Sequence, residues 1–302
     1  MMPRTTLHRV VAAAMAVTAA ALMAACSTGT SSRTATSTPG PSTVSTTPAT
    51  SGMPNMPGTT EPMPSGDGLS ASQSGFTLVP GVTTIAANTP GTFTFRITRP
   101  DGATVTQFVP EQSQLLHFYL IRADLTGFAH LHPTMAADGS WTATLPAMPP
   151  GDWRAYTEFT VNHPSDVALP LVLSVALSVP GLATTQPSSA PSNTATVDGY
   201  TITLSGQPTV GHDTALTFAF SRDGQPVTDL QPYLDTYAHI TAIEAGNLAF
   251  AHLHPQNPVN GDHGGPNLTV EAAFPASGDW RLFIEFQTAG TLHTAEMTAH
   301  VG

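Results

Sequence analysis

Cysteine is almost missing from this chain of 302 residues: Cys26 is the only one. It can close no internal disulfide, and a thiolate metal site is excluded with it. Lysine is absent altogether, and the nine basic residues are all arginine. Charged residues make up 10% of the chain and the formal net charge is −11. Without Arg4 and Arg9 of the leader it is about −13. Such a chain repels nucleic acid and anionic lipid surfaces and attracts cations, so nucleic-acid binding is set aside. No apolar pattern recurs at the helical period. No Gly-x-Ser-x-Gly elbow, His-Glu-x-x-His helix or phosphate loop is present, so no enzyme is expected.

What the N-terminus does contain reads as an export signal over residues 1–25. Arg4 and Arg9 precede an apolar run from Val10 to Leu22, and small residues follow. That run is too short and alanine-rich for a membrane span. Leu22-Met23-Ala24-Ala25-Cys26 resembles a bacterial lipobox, with Met23 where leucine is usual. The resemblance implies lipidation (a palmitate-type acyl group) at Cys26 and a place on the outer side of the cell membrane. An ordinary secretory signal or an uncleaved anchor is the alternative. Residues 26–74 are then a disordered Ser/Thr/Pro-rich stalk, spanning roughly 40 Å as a coil. Met53, Met56 and Met63 stand in it, either as soft copper(I) ligands or by chance.

Beyond the stalk the chain repeats itself. Phe128-Ala129-His130-Leu131-His132-Pro133 returns as Phe250-Ala251-His252-Leu253-His254-Pro255. His117 and His239 precede the two motifs by the same offset. Copy one, residues 75–182, shows short alternating segments at Thr92–Thr98, Thr104–Val109, Leu115–Arg122, Phe128–His132, Trp141–Leu145, Trp153–Thr160 and Leu171–Val179. Pro/Asp/Gly turns separate them. A linker follows at 183–196, and copy two at 197–302 keeps the same order. This predicts an all-β protein of two tandem antiparallel β-sandwich domains.

Strand residues two apart share a face. Leu116, Phe118 and Leu120 therefore form a core face, as do Ala129 with Leu131, Trp153 with Ala155 and Phe159, and Trp280 with Leu282, Ile284 and Phe286. His117, His130 and His132 lie on the opposite face, and so do His239, His252 and His254. If the short loop pairs His117 with His132, three imidazoles converge within reach of one ion in each copy. Arg154 with Glu158, and Arg281 with Glu285, share that outer face too. They read either as solvated ion pairs or as carboxylates supporting a metal site. His263 is placed to close over the second patch, while His163 and His212 read as surface residues.

Imidazoles without thiolate suit copper(II) first and zinc as the alternative. The competing reading is a scaffold or protein-binding module whose histidines meet a macromolecule or pack between the domains. A zinc hydrolase comes third. Thr228-Asp229-Leu230-Gln231-Pro232-Tyr233-Leu234, Tyr237-Ala238-His239, Leu248 to Pro255 and Gly278-Asp279-Trp280-Arg281-Leu282-Phe283 resemble exported actinobacterial proteins with immunoglobulin-like, YtkA-like domains. Copy one joins in through Asp124 to Pro133 and Gly151 to Arg154. The resemblance implies an immunoglobulin-like fold and copper handling, with an envelope donor or acceptor protein as partner.

Overall fold

The computed structural model describes residues 66–162, 168–187 and 189–302, all without helix. The leader, Cys26, the three stalk methionines and His163 lie outside the described residues, as does the side chain of His252.

The first half contains β1 (Ser72–Gln73), β2 (Phe76–Pro80), β3 (Gly91–Thr98), β4 (His117–Arg122), β5 (Phe128–Leu131), β6 (Thr134–Met135), β7 (Trp141–Leu145), β8 (Gly151–Asn162) and β9 (Ala168–Val179). One sheet runs β1-β2-β3-β7-β6 and the other β5-β4-β8-β9. This is the immunoglobulin-like Greek key, in which sequence neighbours are split between two sheets. Phe93, Phe95, Phe118, Trp141 and Phe159 fill the space between them, the two inner faces meeting as alternation requires.

The second half repeats the plan with β10 (Thr194–Val197), β11 (Tyr200–Ser205), β12 (Thr214–Arg222), β13 (Gln225–Pro226), β14 (Ala238–Glu244), β15 (Phe250–Pro255), β16 (Asn267–Ala272), β17 (Gly278–Thr288) and β18 (Thr291–Val301). Here β15 is continuous. It pairs with β14 through Phe250–His252 and with β16 through Leu253–Pro255, so it joins the two sheets at a corner. In the first half that corner is broken between β5 and β6, at His132 and Pro133.

Three expectations are corrected. Thr104–Val109 is not a strand and makes only isolated bridges at its two ends. Its core anchors, Val105 and Phe108, are three apart rather than two, so the segment cannot keep one face inward. The stalk does not stay loose to residue 74: Gly66 onward is folded, and β1 pairs with β2. The linker ends earlier than residue 196, because β10 begins at Thr194 and the Ser192 amide already donates to the Thr298 carbonyl.

In each half, one of the faces turned away from the sandwich core is covered. Tyr119, Ile121, Leu125, Tyr156 and Val172 of the first half pack with Ile243, Phe250 and Phe283 of the second in a third buried cluster. The outer faces of the β4/β5/β8 and β14/β15/β17 sheets thus form a seam between the halves.

Candidate metal centre

Strand register places the histidines along that seam. His117 opens β4 directly across from Glu158 on β8. The β4–β5 ladder, with Phe118 opposite Leu131, carries His132 to the position facing His117. In the second half Thr241 is opposite His252, so His239 and His254 occupy the matching places, and His239 faces Glu285 on β17. Within the first half the ring centroids of His117 and His130 lie 5.2 Å apart, those of His117 and His132 5.3 Å, and those of His130 and His132 4.7 Å.

Among the described residues, which do not include the His252 side chain, a convergence is shared between the halves. His239 stacks on His130 at 4.6 Å and on His117 at 5.4 Å. One ligand nitrogen from each of His117, His130 and His239 lies within 4.8 Å of the others. His132 borders this triad, and its Nε2 is buried without a hydrogen-bond partner. His254 is buried but stands outside the triad. His263 is exposed in its loop and is not part of this group.

The solvated-ion-pair reading of Glu158 and Glu285 is also corrected. Both carboxyls are buried, at 2% and 3% exposure. Tyr119 Oη donates to Glu158 Oε2 at 2.9 Å, and Glu285 Oε2 lies 2.6 Å from His130 Nδ1 across the seam. Arg154 turns instead to the Leu69 carbonyl and Ser174 Oγ, and Arg281 to Glu296. The sequence reading missed Tyr119, which lies two residues past His117 and therefore on the same face. It also missed the carbonyl of Glu111, 3.2 Å from His117 Nε2.

Donor and acceptor chemistry assigns the hydrogens. A carbonyl only accepts, so His117 Nε2 carries the hydrogen that faces Glu111. Neutral His117 then presents a lone pair at Nδ1, which accepts from His130 Nε2 at 3.0 Å. His130 is left with a lone pair at Nδ1, so Glu285 must donate to it. Burial alone pushes the Glu285 carboxyl up to about 8, which keeps that hydrogen in place at neutral pH. His130 is held well below its ordinary value by burial, then by repulsion from His239, His117 and His132. Burial, with His117 second, lowers His132 to about 4. Tyr119 is raised by burial and then by Glu158, so it stays a phenol. Its one hydrogen goes to Glu158, so His239 Nε2, 3.0 Å away, donates to the Tyr119 oxygen.

The residues fit a borderline transition metal. Two nitrogens bound at about 2.0 Å to a tetrahedral ion stand about 3.3 Å apart. His117 Nδ1 and His130 Nε2 are close to that spacing at 3.0 Å, and the third nitrogen, within 4.8 Å of both, needs to close by at most about 1.5 Å. Two of the three rings are already braced from behind, His130 by Glu285 and His117 by the Glu111 carbonyl. Outer partners of this kind orient metal-binding imidazoles.

A family model described as a domain of unknown function (DUF8832) matches the chain twice, over residues 71–175 and 195–302. No curated protein sequence matches. Among solved structures the chain is similar to the Escherichia coli adhesin FdeC, at 19% identity and a TM-score of 0.24, over 76% of this chain and 65% of that one. It is also similar to S-layer protein SbsC domains 4 and 5, at 13% identity and 0.22, over 77% and 98%. The Drosophila Dlar Ig1-2 module gives 9% identity and 0.21, over 75% and 98%. The chain spans less than two thirds of the adhesin chain. With scores this low the fold assignment rests on the strand topology described above.

Proposed function

Given that the chain belongs to the DUF8832 family, and does so twice over, we propose that its two halves act as one non-enzymatic binding module of the cell envelope that holds a single transition-metal ion between them. The observation that carries this reading is the convergence of His117, His130 and His239, from both halves, within 4.8 Å. Glu285, Glu158 and Tyr119 orient the rings, and His132 is the nearest further imidazole. Three imidazoles with no thiolate select copper(II) first and zinc second. When bound, the ion would cross-link the sandwiches. Uptake requires the hydrogen on His130 Nε2 to leave, so binding weakens in acid. Sequestration or delivery, to or from an envelope partner protein, is the role that suits such a site. The likeness to exported YtkA-like domains and the lipobox at Cys26 support a lipid-anchored, outward-facing position, and both belong to this proposal.

One observation favours a second reading. The Glu285–His130–His117–Glu111 chain of hydrogen bonds is complete within the protein. A scaffold with no metal can use it as polar cement between its domains. The two readings separate in a copper and zinc titration of tag-free residues 27–302, wild type beside His130→Ala/His239→Ala. The metal reading expects one tight copper per chain, lost in the double variant. Weak binding that is equal in both proteins leaves the scaffold.

A further inference from the structure

The last residues before the first sandwich lie in the seam. The Asp67 carbonyl accepts from the Phe250 amide of the second half at 2.7 Å. The next three carbonyls turn to the first half. Gly68 accepts from Ser174 Oγ at 2.5 Å, Leu69 from Arg154 Nη1 at 3.1 Å, and Ser70 from the Ser174 amide at 2.9 Å. The Leu69 side chain packs against the core of the second sandwich. Four consecutive carbonyls thus tie one segment to both halves. Only glycine fits at its centre. Gly68 has φ +67°, and a Cβ there would stand 2.9 Å from Phe250 Cβ and 2.9 Å from Val172 Cγ1, one in each half.

What the segment grips leads to the histidines. Phe250 packs on Tyr119, ring centroids 5.5 Å apart, and Tyr119 is bonded to Glu158 and His239. We propose that Asp67–Ser70 is a clasp. Seated, it holds the β15 edge of the second half against the first. Drawn out, by whatever engages the chain N-terminal to Gly66, it lets the seam open and separates His239 from His117 and His130. The clasp stands on its own hydrogen bonds, and only its effect on metal affinity rests on the proposed function.

The test uses the metal-free chain and amide hydrogen exchange. Gly68→Ala should speed exchange of the Phe250 and Ser174 amides at least tenfold, while Phe118 and Ile284 in the sandwich cores stay protected. Gly211→Ala is the control. Its φ is +70° but a Cβ there meets nothing within 4 Å, so the same backbone strain falls outside the seam. If Gly68→Ala does not fold, Ser174→Ala removes the hydroxyl that donates to Gly68 and accepts from Arg154, leaves the backbone contacts of the segment in place, and should accelerate the same two amides more weakly. Wild-type exchange at Phe250 in the variant that folds overturns the clasp. Copper titration of the same samples separates the two ideas. Fast exchange with no copper binding in any protein keeps the clasp and removes the metal. Slow exchange with wild-type copper binding does the reverse.

Discussion

The two halves meet through the same positions used in opposite directions. Phe128 of the first half stacks on Phe283 of the second, with centroids 4.2 Å and planes 8° apart. Phe250, the repeat of Phe128, meets Tyr156 at 5.7 Å. Tyr156 and Phe283 occupy matching places, three residues after Trp153 and Trp280. Where the halves differ, the seam loses its symmetry. Tyr119 has Thr241 as its counterpart, and Tyr156 carries a hydroxyl that reaches the Leu248 carbonyl. The shared residues close the duplicated face on itself, and the unshared ones make the seam different on its two sides.

Removing one of the paired aromatics is the most direct way to break that correspondence. Phe283 is fully buried in the seam cluster and outside the core of its own sandwich. Phe283→Ala should cost about 3–5 kcal/mol, the range for a buried phenylalanine. Because the loss falls on the contact between the halves, calorimetry should resolve two melting transitions in place of one. A single transition with a loss below about 1 kcal/mol would mean that the halves are coupled elsewhere.

Much of this was readable from residue order. Period-two alternation separates Leu116, Phe118 and Leu120 from His117, and the same rule separates Ala129 and Leu131 from His130. That is why the strand faces follow from sequence, along with the all-β class, whereas pairing His117 with His132 is one register that the short loop permits. Alternation marks a face as belonging outside one core, but it cannot say what covers that face. The shared triad, the seating of Glu285 against His130 and the clasp all depend on contacts between residues far apart in the chain, 85 positions for Leu69 with Arg154 and 155 for His130 with Glu285. Thr104–Val109 failed for the opposite reason: two anchors three apart do not make a strand, although Val105 is buried and Phe108 packs against the core.

Titration sharpens the comparison between the two buried carboxyls. Glu285 sits at about 8 in the folded chain against an ordinary 4.5. Between those values the unfolded chain has lost a proton that the folded chain keeps, so on this account stability falls as pH rises. Below about 6.5 the lowered values of His130 and His132 act in the other sense, removing stability as pH falls. Of these three groups only Glu285 acts between about pH 6.5 and 8, and its loss across that window is about 2 kcal/mol. Denaturant titrations at several pH values should show the slope. Glu285→Gln should flatten it, since the amide donates to His130 Nδ1 without titrating. An unchanged slope in that variant would assign the effect to another group.

The smallest expected effect concerns the two matching arginines. Arg281 pairs with Glu296, which is more than a third exposed. An exposed ion pair contributes little, so Arg281→Ala should cost less than about 0.5 kcal/mol. Arg154 holds the corresponding place on β8, but its guanidinium donates to the Leu69 carbonyl at 3.1 Å and to Ser174 Oγ at 2.8 Å. Arg154→Ala takes away two hydrogen bonds made by a charged donor, each worth about 1.5 kcal/mol or more, one of them on the clasp. Matched denaturant titrations should therefore separate two residues that the repeat makes equivalent. Equal, small losses in both variants would mean that the Leu69 contact holds nothing, and the asymmetry of the seam would then rest on Tyr119 and Tyr156 alone.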